Sequence, residues 1–181
     1  MTVMPETPTT SASAEEARAD EESLIPPELA AAVGKEMGSS QARVDAELVR
    51  RMASAFDVED ADLEAALATN DTDFDLPPWA IYCISKPNRI ETPGIDPWTT
   101  LMAAEELQIS RPLHLGDRLL VDQRIADLQE RIGGRVGHSL FISIEWRYRL
   151  RTGQASNEEI GAEVARVRHT MVHFRGQHTG D

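Results

Sequence analysis

A single cysteine, Cys83, leaves nothing with which to close an internal disulfide, which agrees with a reducing compartment. Inside the apolar run WAIYCI that thiol fits a small core residue better than a nucleophile. No stretch approaches the roughly 18 uninterrupted apolar residues of a membrane-spanning helix, so no membrane partner is expected. The amino terminus, MTVMPETPTTSASAEEARADEES, lacks both the basic start and the apolar centre of a secretory signal, which makes the cytoplasm the default location. Positive charge is short: 18 Lys and Arg against 31 Asp and Glu give a formal net charge of −13, with no basic cluster to neutralise nucleic-acid phosphates. Nucleic acid is therefore not an expected partner. Histidine is absent before His114, an absence that bears on catalysis below.

What is present fits one soluble domain, at 181 residues with 41% hydrophobic and 27% charged side chains. The charge is uneven. Residues 1–23 hold six acids and one base with almost nothing to bury, and are expected to be a disordered acidic tail. Residues 111–175 hold eleven bases and eight acids, so the basic excess lies in the second half. The ordered domain is placed at 24–176, followed by a short tail at 177–181.

Helices are expected first. In LIPPELAAAVGKEMG, Leu29, Val33 and Met37 can form one apolar stripe that Gly38 ends. SSQARV leaves room for a short strand. Asp45 can cap AELVRRMASAF, whose Leu48, Val49, Met52 and Phe56 fall on one face, and a partly helical stretch follows around Leu63 to Leu67. LPPWAIYCISK can open at Pro78 a helix whose body is almost wholly apolar, which implies burial on every side.

Strands follow. TLMAAEELQIS reads as a strand, although AAEEL alone also suits a helix. RPLHLGD turns at Gly116-Asp117, where Asp accepts backbone hydrogen bonds, and launches RLLVDQRIADLQERI. GHSLFISIEWRYRLR alternates: Leu140, Ile142, Ile144, Trp146, Tyr148 and Leu150 point one way, Ser143, Glu145, Arg147, Arg149 and Arg151 the other, which predicts one buried and one wet face. GGRVG and TGQASNEEIG supply turns, and EVARVRHTMVHFR is a last strand. The plan is α+β, a single domain in which an antiparallel sheet curls around one apolar helix.

The order of a helix opening at Pro77-Pro78, then RPLHLGDRLLV, RIADLQERIGG, a long alternating strand and EVARVRHTMVHFR, resembles the N-terminal, FAS1-like dehydratase domain of the MaoC-like hydratases, over roughly residues 28–175. The resemblance implies a hot-dog fold and the addition or removal of water on an acyl chain held as a thioester to coenzyme A or acyl carrier protein, in fatty acid metabolism, with no resident cofactor. The chemistry needs a base, an acid and a backbone N–H on the thioester carbonyl. In active members an Asp and a His five positions later supply base and acid. Here no aspartate stands five places before any of His114, His138, His169, His173 or His178.

The resemblance is therefore to the half of the family that has lost its dyad and assists a catalytic hot-dog subunit, pairing sheet edge to edge and shaping the acyl tunnel. Hydro-lyase activity is expected only in such a complex, a dimer or higher. The alternatives are a non-catalytic acyl-thioester-binding module and, less favoured, a thioesterase using a carboxylate such as Asp57 or Asp60, the weak catalytic candidates in this chain. Pro78, Trp79 and Tyr82 are candidates for the tunnel wall, against simple core packing. Arg111 and Arg118 are candidates for the carrier's phosphates, since guanidinium suits that geometry. For Arg147, Arg149 and Arg151, solvation of a strand face is the better reading. His169 and His173 share a strand face, but without a Cys or clear carboxylate ligand no metal site is expected.

Overall fold

The computed structural model describes residues 23–84, 86–87, 92, 95, 99–133, 137–152 and 159–174. The acidic tail, apart from Ser23, the 177–181 tail, and parts of the GGRVG and TGQASNEEIG turns lie outside these residues.

Five strands form one antiparallel sheet: β1 (Glu36–Arg43), β2 (Thr99–Ile109), β3 (Arg118–Arg131), β4 (Ser139–Thr152) and β5 (Glu159–Phe174). Their lateral order is β1-β3-β4-β5-β2, so β1 and β2 are the edges. Of the three long central strands, β4 is the one whose alternation is plainest in the sequence. One face bears the helices α1 (Pro27–Ala32), α2 (Ala46–Ala55) and α3 (Ala61–Thr69), with a 3-10 helix at Pro78–Cys83. The main core joins Val49, Leu63, Leu67, Ala80 and Ile81 from this layer to Leu119, Val121, Tyr148 and Val167 of the sheet. A smaller core gathers Leu29 against Ile125, Leu140 and Ile142. This is the α+β hot-dog arrangement that the sequence implies.

The turn before β3 is built by Asp117. Its carboxylate accepts from His114 N at 3.0 Å and from Arg111 Nη2 at 2.9 Å. Gly116 adopts φ +88°, a left-handed conformation natural to glycine. The turn docks on the end of β1 through Gly116 N–Val44 O and Val44 N–Asp117 O, both 2.9 Å. Asp117 thus holds the turn, as its place after Gly116 suggests.

Three expectations are corrected. The first helix stops at Ala32, because Gly34 takes φ +78° and donates to Ile125 O at 2.8 Å, drawing the chain into the sheet. Met37 accordingly lies in β1, not on a helical stripe. Helix α2 is capped by Asp45 as expected, but it buries Val49 and Ala53 and leaves Phe56 66% exposed. The helix at Pro78 is a single 3-10 stretch of six residues that buries only Ala80 and Ile81. Pro78 is exposed and Trp79 and Tyr82 are half-buried. It packs against the core on one side and is not enclosed on all sides.

The face expected to be wet also departs from expectation: Glu145 and Asp122, both on it, are buried. Arg149 Nε donates to Asp122 Oδ2 at 2.8 Å, so this arginine pairs across strands as well as covering the face. No helix among the described residues is long and apolar enough to cross a membrane.

Candidate functional site

On the helix-bearing face, beside the β2 edge, polar groups from four elements meet. Antiparallel pairing sets Glu105 of β2 opposite His169 of β5, and residues directly opposite one another share a face. Glu105 Oε2 lies 2.8 Å from His169 Nε2, an ion-pair distance reached without the alignment of a directed hydrogen bond. The Tyr82 hydroxyl, from the 3-10 helix, donates to the other carboxylate oxygen, Oε1. Trp146 of β4 meets the His169 ring edge-on, with centroids 4.8 Å apart, and its Nε1 donates to Gln123 Oε1 at 2.9 Å. Lys86 Nζ stands 4.5 Å over the Trp146 ring and 6.0 Å from the Tyr82 centroid, within range for cation–π attraction.

The electrostatics suit proton handling in a partly buried cluster. Burial, and then the charge of Lys86, lower the pKa of His169 against the opposing pull of Glu105, so the imidazole is neutral near pH 7. Burial also lowers that of Lys86. Burial, the hydrogen bond to Glu105 and its charge push the Tyr82 hydroxyl up to about 12. Burial, followed by the charges of Tyr82 and Glu105, raises that of Tyr148 as well. Both phenols therefore stay protonated at neutral pH, and that of Tyr82 donates to Glu105. A neutral imidazole, a carboxylate and the Tyr82 phenol could bind an oxygen-bearing group or pass a proton.

Of the tunnel, phosphate and catalytic candidates named from sequence, only Tyr82 belongs to this group; His169, weighed there only as half of a metal pair, belongs to it as well. Arg111 is tied to the Asp117 turn and to Pro112 O at 2.8 Å, and Arg118 opens β3 opposite Arg43. His173 is buried and faces Thr100 Oγ1 at 2.9 Å through Nδ1. Cys83 is half-buried beside the core, and burial raises the pKa of its thiol. An Asp–His pair that the five-residue spacing could not reveal joins Asp75 to His114 Nε2 at 2.8 Å, with the Asp75 side chain 72% exposed. Glu105 and Lys86 were missed. Glu105 sits in the ambiguous AAEEL, and its partnership with His169 arises from strand register across 64 residues of chain.

Asp57 is an exposed residue with φ +53° at the end of α2. Asp60 caps α3, its carboxylate accepting from Asp62 N and Leu63 N, each at 3.0 Å. Replacing Asp60 with Ala is expected to cost about 1 kcal/mol in a urea melt, and with Ser much less, since Ser also caps helices. A thioesterase base at this position would instead lose activity in both variants.

A family model described as FAS1-like, dehydratase domain region, matches residues 31–156. No curated protein matches the chain in sequence. Among solved structures, a chain of the ChsH1-ChsH2 complex from Mycobacterium tuberculosis superposes with a TM-score of 0.57 at 17% identity, covering 85% of this chain and 90% of that one. A MaoC-like dehydratase superposes with a TM-score of 0.56 at 22% identity, covering 82% of this chain and 44% of the other. Identities this low speak for the fold alone. The family match spans well over half of the 181 residues, including β1 to β4 and the whole helical layer after α1, and by that match the chain belongs to the FAS1-like dehydratase domain family.

Proposed function

We propose that the chain is a subunit of an R-specific enoyl-thioester hydratase or 3-hydroxyacyl-thioester dehydratase in the cytoplasm, paired with a catalytic hot-dog partner whose acyl tunnel it helps to shape. The observation that carries this reading is the β2 edge. It is an 11-residue outer strand with Leu101 and Met102 exposed at 55% and 56%. A long exposed edge with apolar side chains is a template for a further strand. Pairing there would extend the sheet into the partner and cover the cluster of Tyr82, Glu105 and His169.

The substrate is an acyl group carried by coenzyme A or acyl carrier protein, and no resident cofactor is required. Arg111 and Arg118, half-buried beside the β1 end of the sheet, are the proposed contacts for the carrier's phosphates. The Asp and His of the reaction come from the partner in this reading, because this chain has no such pair at the family's spacing. The Asp75–His114 pair is an exposed latch beside the Leu76 N–Leu113 O bond of 2.9 Å.

The test is hydration of a trans-2-enoyl-CoA by the chain alone and by the chain mixed with an Asp/His-bearing hot-dog protein encoded beside it. Activity is expected only in the mixture. Turnover by the chain alone would overturn the assisting role and turn attention to Glu105 and His169, whose substitution by Gln and Asn would then abolish it. The second reading, a homodimeric acyl-thioester-binding module, draws on the same edge pairing with its own copy. It predicts a dimer that binds acyl-CoA and adds nothing to the partner's rate.

A further inference from the structure

The sheet face that carries no helices holds a pocket of about 60 Å³ lined by Glu106 and Gln108 of β2 and Arg166 and Arg168 of β5. That is room for more than one water molecule and too little for a large ligand. Neighbouring residues on a strand point to opposite faces, so Glu106 turns away from the cluster that contains Glu105. The two guanidinium groups are held in place from behind. Arg166 donates to both oxygens of Glu163 at 3.0 and 3.1 Å, and Arg168 Nη2 donates to the buried Glu145 at 3.0 Å. Both side chains remain about one-third exposed, with donors to spare.

Two features of the strand register leave charge uncompensated around the pocket. Arg147 stands directly opposite Arg166, a like-charge pairing that costs stability. Among the described residues Arg147 has no ion pair or side-chain hydrogen bond, and Asp122, its neighbour on the other side, is taken by Arg149. Glu106 stands directly opposite Arg168, yet the two form no ion pair and the pocket lies between them. A cation there would meet the arginines. A carboxylate or sulfate would meet the charge of Glu106 with no proton to offer it. Hydrogenphosphate fits both sides: its oxygens accept from guanidinium and from the Gln108 amide, and its remaining proton is donated to Glu106. We infer that Arg147, Arg166, Arg168, Gln108 and Glu106 form a site for free inorganic phosphate on the helix-free face. The site is independent of the acyl-thioester reading.

The test is an NMR titration of the full chain at constant ionic strength and roughly pH 8, following the Gln108 side-chain amide. The probes are inorganic phosphate, sulfate and glycerol phosphate, an ester that has lost its last proton by then because its pKa lies near 6. Phosphate is expected to saturate with a Kd on the order of 1 mM, and the two proton-free anions to bind at least about tenfold more weakly, the worth of one charge-assisted hydrogen bond. Glu106→Gln, on an exposed position, is expected to erase that discrimination, which a merely structural role for Glu106 would not do. Arg147→Gln is expected to weaken phosphate binding about tenfold while leaving the phosphate-free fold as stable or more so, since a like-charge pairing is removed. If Arg147→Gln fails to fold, the Glu106→Gln result decides alone. Absence of saturation at concentrations about tenfold above the expected Kd would overturn the site. So would equal binding of all three anions by the native chain, or a preference for phosphate that survives Glu106→Gln.

Discussion

Replacing Glu145 with Ala will destabilise the fold by about 3 kcal/mol, measured as the shift in a urea transition, because it takes the shared carboxylate from Arg124 and Arg168 at once, while Arg166 keeps its pair with Glu163. Glu145 is wholly inaccessible on β4, in the middle of the sheet face that carries no helices. Arg124 Nη2 lies 2.6 Å from one carboxylate oxygen and Arg168 Nη2 lies 3.0 Å from the other, with Arg166 Nε at 4.0 Å. The carboxylate is covered by those side chains and not by a second layer of structure. Each arginine side chain is still 30–36% exposed. Water therefore screens part of the repulsion released when the carboxylate goes, which sets the expectation at the low end of the range for a broken buried pair.

The same cluster gives a pH signature. Burial alone would raise the pKa of the Glu145 carboxyl, but hydrogen bonds from Arg168 and Arg124, and the charges of Arg124 and Arg166, hold it below the usual carboxylate value. A carboxyl depressed in the folded state contributes stability above its unfolded pKa of about 4.3 and loses it as pH falls through the folded value. Native protein should therefore lose stability in that acid window. Glu145→Gln should start lower at neutral pH and lose less on acidification. Parallel slopes for the two proteins below pH of about 4 would mean that the cluster does not act through the charge of Glu145.

Glu145 also shows why some features are legible in the sequence and others are not. Alternation in GHSLFISIEWRYRLR separates the two faces of β4, and the arginines around Glu145 invite the reading of a solvated surface. The carboxylate's burial depends on Arg124 and Arg168 arriving on the neighbouring strands at Glu145's own level. That is a property of register between segments more than 20 residues apart. Glu105 and His169 meet for the same reason. The Asp117 turn, by contrast, was readable because its partners His114 and Arg111 lie within six residues. The 3-10 helix falls between these cases: Pro77-Pro78 marks where it starts, but nothing local states that its apolar body is too short to be enclosed.

The edge strand is where the functional reading is most exposed to test. Changing Leu101 and Met102 together to Lys is expected to leave the stability of the isolated chain within about 0.5 kcal/mol, because both side chains are already more than half exposed. If β2 is the seam with a catalytic partner, the same change should weaken association about thirtyfold or more, the usual consequence of losing an interface anchor. Lysines on an edge strand oppose the addition of another strand. The other edge provides a control within the molecule. β1, with the sequence EMGSSQAR, is short and mostly polar, and its register shifts between Glu36 and Gly38. Ser39→Lys with Gln41→Lys should therefore leave association as it was. Sedimentation of the mixed proteins and hydratase rate at limiting partner concentration would read both pairs of variants. Association lost with the β1 pair and kept with the β2 pair would move the seam to the opposite edge, far from Glu105 and His169, and the cluster beside β2 could then no longer line a shared tunnel.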